Sequence, residues 1–189
     1  MELNQIHELY LSCSAISTDT RNIETGAMFF ALKGPSFNGN KYALNAIDKG
    51  AKFAIVDEVS VPLNDKIIQV DDVLTTLQDL ARFHREYLGL PIIALTGSNG
   101  KTTTKELINK ILQQRYKTIA TNGNLNNHIG VPLTLLRMTI DTEIGIVEMG
   151  ANHAKEIELL CNIAKPNVGY ITNFGKAHLE GFGSEHGII

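Results

Sequence analysis

From Pro91 onward, short apolar runs and helical stripes alternate along the chain. The runs 92–95, 117–121, 144–149 and 167–172 read as strands, and 102–114, 132–138 and 153–164 between them read as helices. Regular strand–helix alternation predicts a parallel sheet wound with crossover helices, with ligands at the carboxyl ends of its strands. The first half has a looser pattern. Residues 4–11 form a short helical stretch with Ile6, Leu9 and Tyr10 on one side. Ala27–Leu32 is a buried strand, Lys41–Gly50 a helix with Gly50 as its C-cap, and Phe53–Val56 and Ile67–Val70 are two further strands. Val73–Leu88 is a stronger helix whose apolar stripe runs through Val73, Leu77, Leu80, Ala81, His84 and Leu88. His84 on that stripe reads as a core or boundary histidine. Gly89-Leu90-Pro91 interrupts the helical pattern. The pattern predicts an α/β chain of two domains, a small N-terminal α/β domain over 1–88 and a parallel-sheet domain over 91–189.

The most informative polar stretch is Thr96-Gly97-Ser98-Asn99-Gly100-Lys101-Thr102-Thr103. It follows an apolar run and opens a helix. Such a turn aims several backbone N–H groups at one point, at the positive end of the helix dipole. Its glycines allow close approach to an anion, Lys101 can neutralise phosphate charge, and the Thr102 hydroxyl can reach a magnesium ion. The loop is shorter than the usual G-x-x-x-x-G-K-[ST], because leucine stands at position 95. A glycine turn with a solvated lysine is the bland alternative.

Three other polar clusters lie at predicted strand ends. In Thr121–Pro132, four asparagines, including Asn126 and Asn127, could bridge phosphate oxygens and metal-bound waters, or could simply favour turns. Glu148 ends an apolar run, where an unpartnered carboxylate is costly. A magnesium ion shared with Thr102 would be one partner and a salt bridge another. His178 and Glu180 follow the last predicted strand, and His178 is either a ligand for a second divalent ion or a plain loop histidine. In the first half, Ser17-Thr18-Asp19-Thr20-Arg21 reads first as a hydrogen-bonded turn with an internal Asp19–Arg21 pair, and second as a loop suited to a sugar, base or diphosphate.

Composition narrows the classes. The 189 residues are 43% hydrophobic and 20% charged with a formal net charge of −3, so nothing suggests a nucleic-acid surface. Cys13 and Cys161 lack metal-ligand spacing and build no disulfide framework, which points to a reducing cytosol. The first residues carry no leader pattern and no apolar run reaches membrane-spanning length, so the expectation is a cytoplasmic protein without membrane insertion.

Taken together, these motifs resemble the Mur ligase family of bacterial peptidoglycan synthesis. The stretches that carry the resemblance are the short loop Thr96–Thr103, Gly123–Pro132, Glu148–Asn152 and Thr172–Ser184. Within the family they look like the member that joins D-alanyl-D-alanine to UDP-N-acetylmuramoyl-tripeptide. A sibling that adds the third peptide residue would carry Glu-Val-Ser-Ser in place of Glu148-Met149-Gly150-Ala151. The first domain matches too. Ser17–Arg21 looks like the family's segment for the UDP end of the substrate, and Gly34–Tyr42 like its glycine loop, with Asn38-Gly39-Asn40 where Asp-Gly-His is common.

With the glycine loop at 96–103, the resemblance makes 91–189 part of a parallel-sheet P-loop ATPase domain, and it implies roles for these positions. Thr96, Gly97, Ser98, Asn99, Gly100, Lys101, Thr102, Thr103, Asn126 and Asn127 would bind ATP. Thr18, Asp19, Thr20, Arg21, Gly39 and Asn40 would contact the UDP-linked substrate. Thr102 and Glu148 would hold Mg2+, and His178 would help hold a second ion. Lys101, Glu148 and His178 would serve the reaction, in which a carboxylate becomes an acyl phosphate that the amine then captures. The resemblance also implies a continuation beyond Ile189, so the chain by itself is expected not to ligate. A non-ligating nucleotide-binding module, a P-loop phosphatase or kinase, and a sibling Mur or folylpolyglutamate-type ligase are the alternatives.

Overall fold

The structure is a computed structural model that describes residues 1–62 and 64–175. Two compact units divide at Leu80–Ala81. The division falls inside the long helix, ahead of the Gly89-Leu90-Pro91 break.

The first unit begins with helix α1 (Leu3–Leu11), which buries Ile6, His7 and Tyr10. Four strands, β1 (Ile16–Ser17), β2 (Met28–Phe30), β5 (Phe53–Val56) and β6 (Ile67–Gln69), form a sheet in the order β1-β2-β5-β6, parallel throughout. The predicted turn Ser17–Arg21 is therefore entered from an edge strand, Ile16–Ser17. This strand is too short for any periodicity to reveal, and pairing with Met28 and Phe29 defines it. A small hairpin of β3 (Lys33–Gly34) and β4 (Phe37–Asn38) lies between β2 and β5 in the chain.

The helix predicted over Lys41–Gly50 divides into a 3-10 turn, Gly39–Tyr42, and helix α2 (Ala43–Asp48). Gly50, at φ +105°, lies past its end. Phe29, Ala31, Ala43, Ala46, Ala54, Val56 and Ile67 form the core between α2 and the sheet. Small residues on the helix and large ones on the strands let the two layers approach closely. Helix α3 (Val73–Leu88) buries Val73, Leu77 and Leu80 fully, as its stripe predicts.

In the second unit β7 (Ile92–Thr96), β8 (Thr118–Ala120), β9 (Ile144–Glu148) and β10 (Val168–Ile171) form a parallel sheet in the order β10-β7-β9-β8. Helices α4 (Lys101–Leu112), α5 (Gly130–Leu135) and α6 (Glu156–Ala164) make the crossovers. Every element predicted from alternation in this half is present. The central pair β7 and β9 is the most buried, through Ile92, Ala94, Leu95, Ile146 and Val147, as flanking helices require. Helix α6 starts three residues later than its periodicity suggests. Lys155 takes a left-handed conformation, and the Glu156 carboxylate accepts the N–H groups of Asn152 and His153, so the preceding residues form a capped turn. The side chain of His84, in the second turn from the end of α3, is buried and donates from Nε2 to the Met138 carbonyl at 2.9 Å. It is the core histidine expected from its stripe.

Candidate functional site

The glycine loop joins β7 to α4 on the central strand of the second sheet. Gly97 has φ +130°, and a Cβ there would lie 2.2 Å from Thr172 Oγ1 and 3.0 Å from Asn173 N and O. Only glycine meets both demands. Gly100, at φ +78°, is the N-cap of α4. The loop is braced by the segment after β10. Ser98 N–H donates to the Asn173 carbonyl at 3.1 Å and Asn99 N–H to Asn173 Oδ1 at 3.2 Å. Thr172 Oγ1 donates to the Asn99 carbonyl at 2.6 Å, and Ser98 Oγ is hydrogen-bonded to Gly175 on both sides.

These bonds sort the predicted loop residues. Ser98 and Asn99 have their N–H groups committed to Asn173, so they shape the loop. The N–H groups of the first turn of α4, from Lys101 to Thr103, have no intrahelical acceptor and face out of the helix end. Lys101 folds back over the loop, its Nζ donating to the Gly97 carbonyl at 2.6 Å. Thr102 is exposed in the first turn and Thr96 half-buried at the strand end.

Glu148 is the last residue of β9 and pairs in register with Leu95, the residue before Thr96 on β7. Only 1% of it is exposed. Asn126 Nδ2 donates to its Oε1 at 2.8 Å, and its own N–H donates to Thr121 Oγ1 at 2.9 Å. Its Oε2 is buried without a hydrogen-bond partner and lies 4.0 Å from Lys105 Nζ. An orphaned buried carboxylate oxygen costs free energy that a cation would recover. The residues present therefore fit a divalent ion, with oxygen ligands as a hard cation requires. Among the described residues no three His, Cys, Asp or Glu side chains cluster to hold a metal, so such an ion would need further oxygens from hydroxyl, phosphate or water.

A cleft of about 340 Å³ opens beside Asn126, the donor to this carboxylate, and is lined by Lys101, Asn126, Asn127, His128, Asn152 and Glu156 among others. Asn127 Oδ1 accepts from Ile129 and Gly130 N–H, which caps the start of α5. Glu156 is held ionised below the usual carboxylate range, chiefly by the Asn152 N–H. His178 and Glu180 lie outside the described residues.

In the first unit, Asp19 and Arg21 form the internal pair that the turn reading anticipates. Arg21 Nη2 lies 2.6 Å from Asp19 Oδ2, Nε donates to the same carboxylate, and Arg21 N–H donates to Oδ1 at 2.9 Å. The Arg21 guanidinium holds the Asp19 carboxyl down to about 2. The Arg21 side chain is 86% exposed, so its remaining donors face solvent. Thr18 precedes the pair and Thr20 lies between its two members.

Gly39 lies so close to the backbone of Ala31 and Leu32 that a Cβ would meet atoms at 2.5 to 2.8 Å. Asn40 is buried, and both ends of its amide are engaged with Asp57, Nδ2 donating to Oδ1 at 2.8 Å and Oδ1 accepting Asp57 N–H at 3.0 Å. Its side chain therefore fixes the 3-10 turn after the hairpin to the residue that follows β5. Asp57 also receives Lys33 Nζ at 2.9 Å and Val73 N–H at 3.2 Å.

Sequence reasoning passed over Lys105 and Asp57, and it gave Thr121 and Asn173 no role of their own although both fall in the polar stretches it marked. A signal existed for Lys105, which shares the inner face of α4 with Ile108 and Leu112 at helical spacing. The partners of the others lie far away in sequence, and no local pattern marks those pairings.

Family models match both halves of the chain. The Mur ligase middle domain matches residues 95–189, and the Mur ligase family catalytic domain matches residues 12–85. Curated relatives include the UDP-N-acetylmuramoyl-tripeptide–D-alanyl-D-alanine ligase of Bacillus subtilis, 43% identical over 92% of this chain and 38% of its own length. The Escherichia coli enzyme of the same name is 41% identical over 94% of this chain and 39% of its own. Among solved structures, MurF from Acinetobacter baumannii superimposes with a TM-score of 0.86 at 36% identity, covering 98% of this chain and 44% of that one. MurF from Thermotoga maritima in complex with ADP gives 0.84 at 34% identity, covering 95% of this chain and 42% of that one. The chain thus spans about two fifths of the length of the relatives it matches. With the braced glycine loop, the buried strand-end carboxylate and the match over residues 95–189, the chain belongs to the Mur ligase family.

Proposed function

We propose that the protein this chain represents joins D-alanyl-D-alanine to a UDP-N-acetylmuramoyl-tripeptide at the expense of ATP. The reaction passes through an acyl phosphate and serves peptidoglycan synthesis in the cytoplasm. The observation that carries the reading is Glu148, whose buried Oε2 has no hydrogen-bond partner and lies at the level of the glycine loop. The activity named for the curated relatives supports the substrates, and the ADP complex of the Thermotoga maritima enzyme supports the nucleotide.

Residues 91–189 are the ATP-binding part in this reading, and 1–88 the part that takes the UDP-linked substrate through Thr18, Asp19, Thr20, Arg21 and the loop held by Gly39 and Asn40. The first-turn N–H groups of α4 hold phosphate oxygens. Lys101, now resting on the Gly97 carbonyl, turns to the transferred phosphoryl group and offsets its charge. Glu148 and Thr102 would hold Mg2+, which would supply neutralisation of phosphate charge. Asn126 orients the carboxylate through Oε1 and leaves Oε2 for the ion. Asn127 and the cleft beside it bound the space in which the tripeptide carboxylate meets the phosphoryl group. His178 is proposed to assist at a second ion.

The chemistry consists mainly of positioning and charge screening, because two anions must meet. The carboxylate oxygen attacks phosphorus and ADP leaves. The D-alanyl-D-alanine amine then adds to the acyl carbon, loses a proton, and inorganic phosphate departs.

The test is phosphate release by the full-length protein. A ligase releases phosphate only when the UDP-linked tripeptide and D-alanyl-D-alanine are both present. Release that needs neither, or only one, overturns the reading in favour of a phosphatase, a kinase or a nucleotide-binding module. The 189-residue chain alone is expected to show no turnover.

A further inference from the structure

The proposed chemistry leaves one buried charge unused. Lys105 is fully buried in α4, on the face that also carries Ile108 and Leu112. A buried ammonium is costly unless it is paired and hydrogen-bonded. Its Nζ donates to the Thr121 carbonyl at 2.7 Å, lies 2.9 Å from the half-exposed Glu106 Oε1, and stands 4.0 Å from Glu148 Oε2. Thr121 accepts the Glu148 N–H at Oγ1, so one residue past β8 anchors both charges. The carboxylate oxygen without a hydrogen-bond partner is therefore the one that faces a fixed cation.

We propose that Lys105 is a positioning residue that makes cation capture at Glu148 conditional on nucleotide phosphate. The Lys105–Glu148 pair is near neutral as it stands. A free divalent ion at Oε2 meets a positive charge a few ångströms behind it, in surroundings of low dielectric. The Glu106 carboxylate beside the same Nζ is 52% exposed, so water screens its charge, whereas Glu148 and Lys105 face each other in the interior. A polyphosphate brings the missing negative charge, so the ion binds well only together with the nucleotide. This rests on the reading of Glu148 as a metal-holding carboxylate.

The experiment measures Mn2+ binding to the full-length protein by electron paramagnetic resonance, with and without ADP. Lys105→Met and Lys105→Gln remove the charge, and Gln retains a donor for the Thr121 carbonyl should Met not fold. Lys105→Arg retains the charge. The expected result is at least tenfold tighter Mn2+ binding without nucleotide in the folded neutral variant. Wild-type weakness should persist in Lys105→Arg, and the gain should vanish when Glu148→Gln is added. A folded neutral variant that binds Mn2+ no more tightly than wild type overturns the proposal, as does an equal gain in Lys105→Arg. If Glu148→Gln alone leaves Mn2+–ADP binding unchanged, the metal reading of Glu148 is what fails. If that substitution weakens Mn2+–ADP binding while the neutral variants gain nothing, only the role of Lys105 fails.

Discussion

Leu95 and Glu148 are register partners on adjacent parallel strands, and the Met149 N–H donates to the Leu95 carbonyl at 2.8 Å. Neighbouring strands lie about 4.8 Å apart. The glycine loop and the buried carboxylate therefore leave the sheet side by side, although 53 positions separate Leu95 from Glu148 (148 − 95). Replacing Glu148 by Gln keeps an acceptor for Asn126 and removes the charge. Magnesium-dependent ADP binding is expected to weaken at least tenfold, roughly 1.4 kcal/mol. The melting temperature should fall, since Lys105 is left buried without its carboxylate partner on β9. Calorimetric titration with and without magnesium checks the first point and a thermal melt the second.

Gly97→Ala should destabilise the second unit by at least about 2 kcal/mol, from a strained φ together with the clash on Thr172. Gly34→Ala is the control, because no atom lies within 4 Å of the added Cβ. It should shift the melt by no more than about 0.5 kcal/mol. Comparable losses in the two variants would count against the bracing of the loop by the segment after β10.

Lys101→Ala is expected to fold normally, since the side chain contributes only hydrogen bonds to loop carbonyls. In the full-length protein it should slow the chemical step by about 10²–10³-fold, or roughly 2.7–4 kcal/mol, the scale of other electrostatic stabilisers. Single-turnover phosphate release separates this from weaker binding.

Asp57 ties Asn40, Lys33 and the start of α3 together. Burial pushes its carboxyl up, but hydrogen bonds from Lys33, Asn40 and the Val73 N–H outweigh that and hold it below its usual value. A depressed folded-state pKa stabilises above the unfolded value of about 3.9, and the stabilisation is lost as pH falls through the folded value. Asp57→Asn should therefore lower stability at pH 7 by about 1–3 kcal/mol and flatten the acid limb below about pH 4. Denaturant titrations at pH 3, 4, 5 and 7 provide the comparison.

Arg21→Ala should weaken binding of the UDP-linked substrate by about tenfold or more, the scale of a lost charge-assisted hydrogen bond. With Asp19 held at about 2, its charge is constant between pH 5 and 9, so the wild-type affinity should not change there through Asp19. Fluorescence competition with the nucleotide sugar across that range checks both.

The strand–helix alternation after Pro91, the placement of a Gly-Lys-Thr turn after an apolar run, and the family resemblance were all legible in the order of residues. Each is local: period 2 or 3.6, a glycine at a turn, an acid at a strand end. The turn at Asp19–Arg21 was legible for the same reason, since its partners are two residues apart.

Other relationships were decided only by tertiary structure. The order β10-β7-β9-β8 carries Thr172 and Asn173 to the glycine loop, and sets Glu148 between Asn126 and Lys105. Asn40, expected at a substrate, spends its amide on Asp57, 17 positions along the chain. The physical reason is common to all of them. Backbone periodicity specifies which face of an element is buried, whereas the crossover connections specify which other element it is buried against. A lysine in an apolar stripe and a glutamate at a strand end are each identifiable alone, and the fold brings their charges to 4.0 Å.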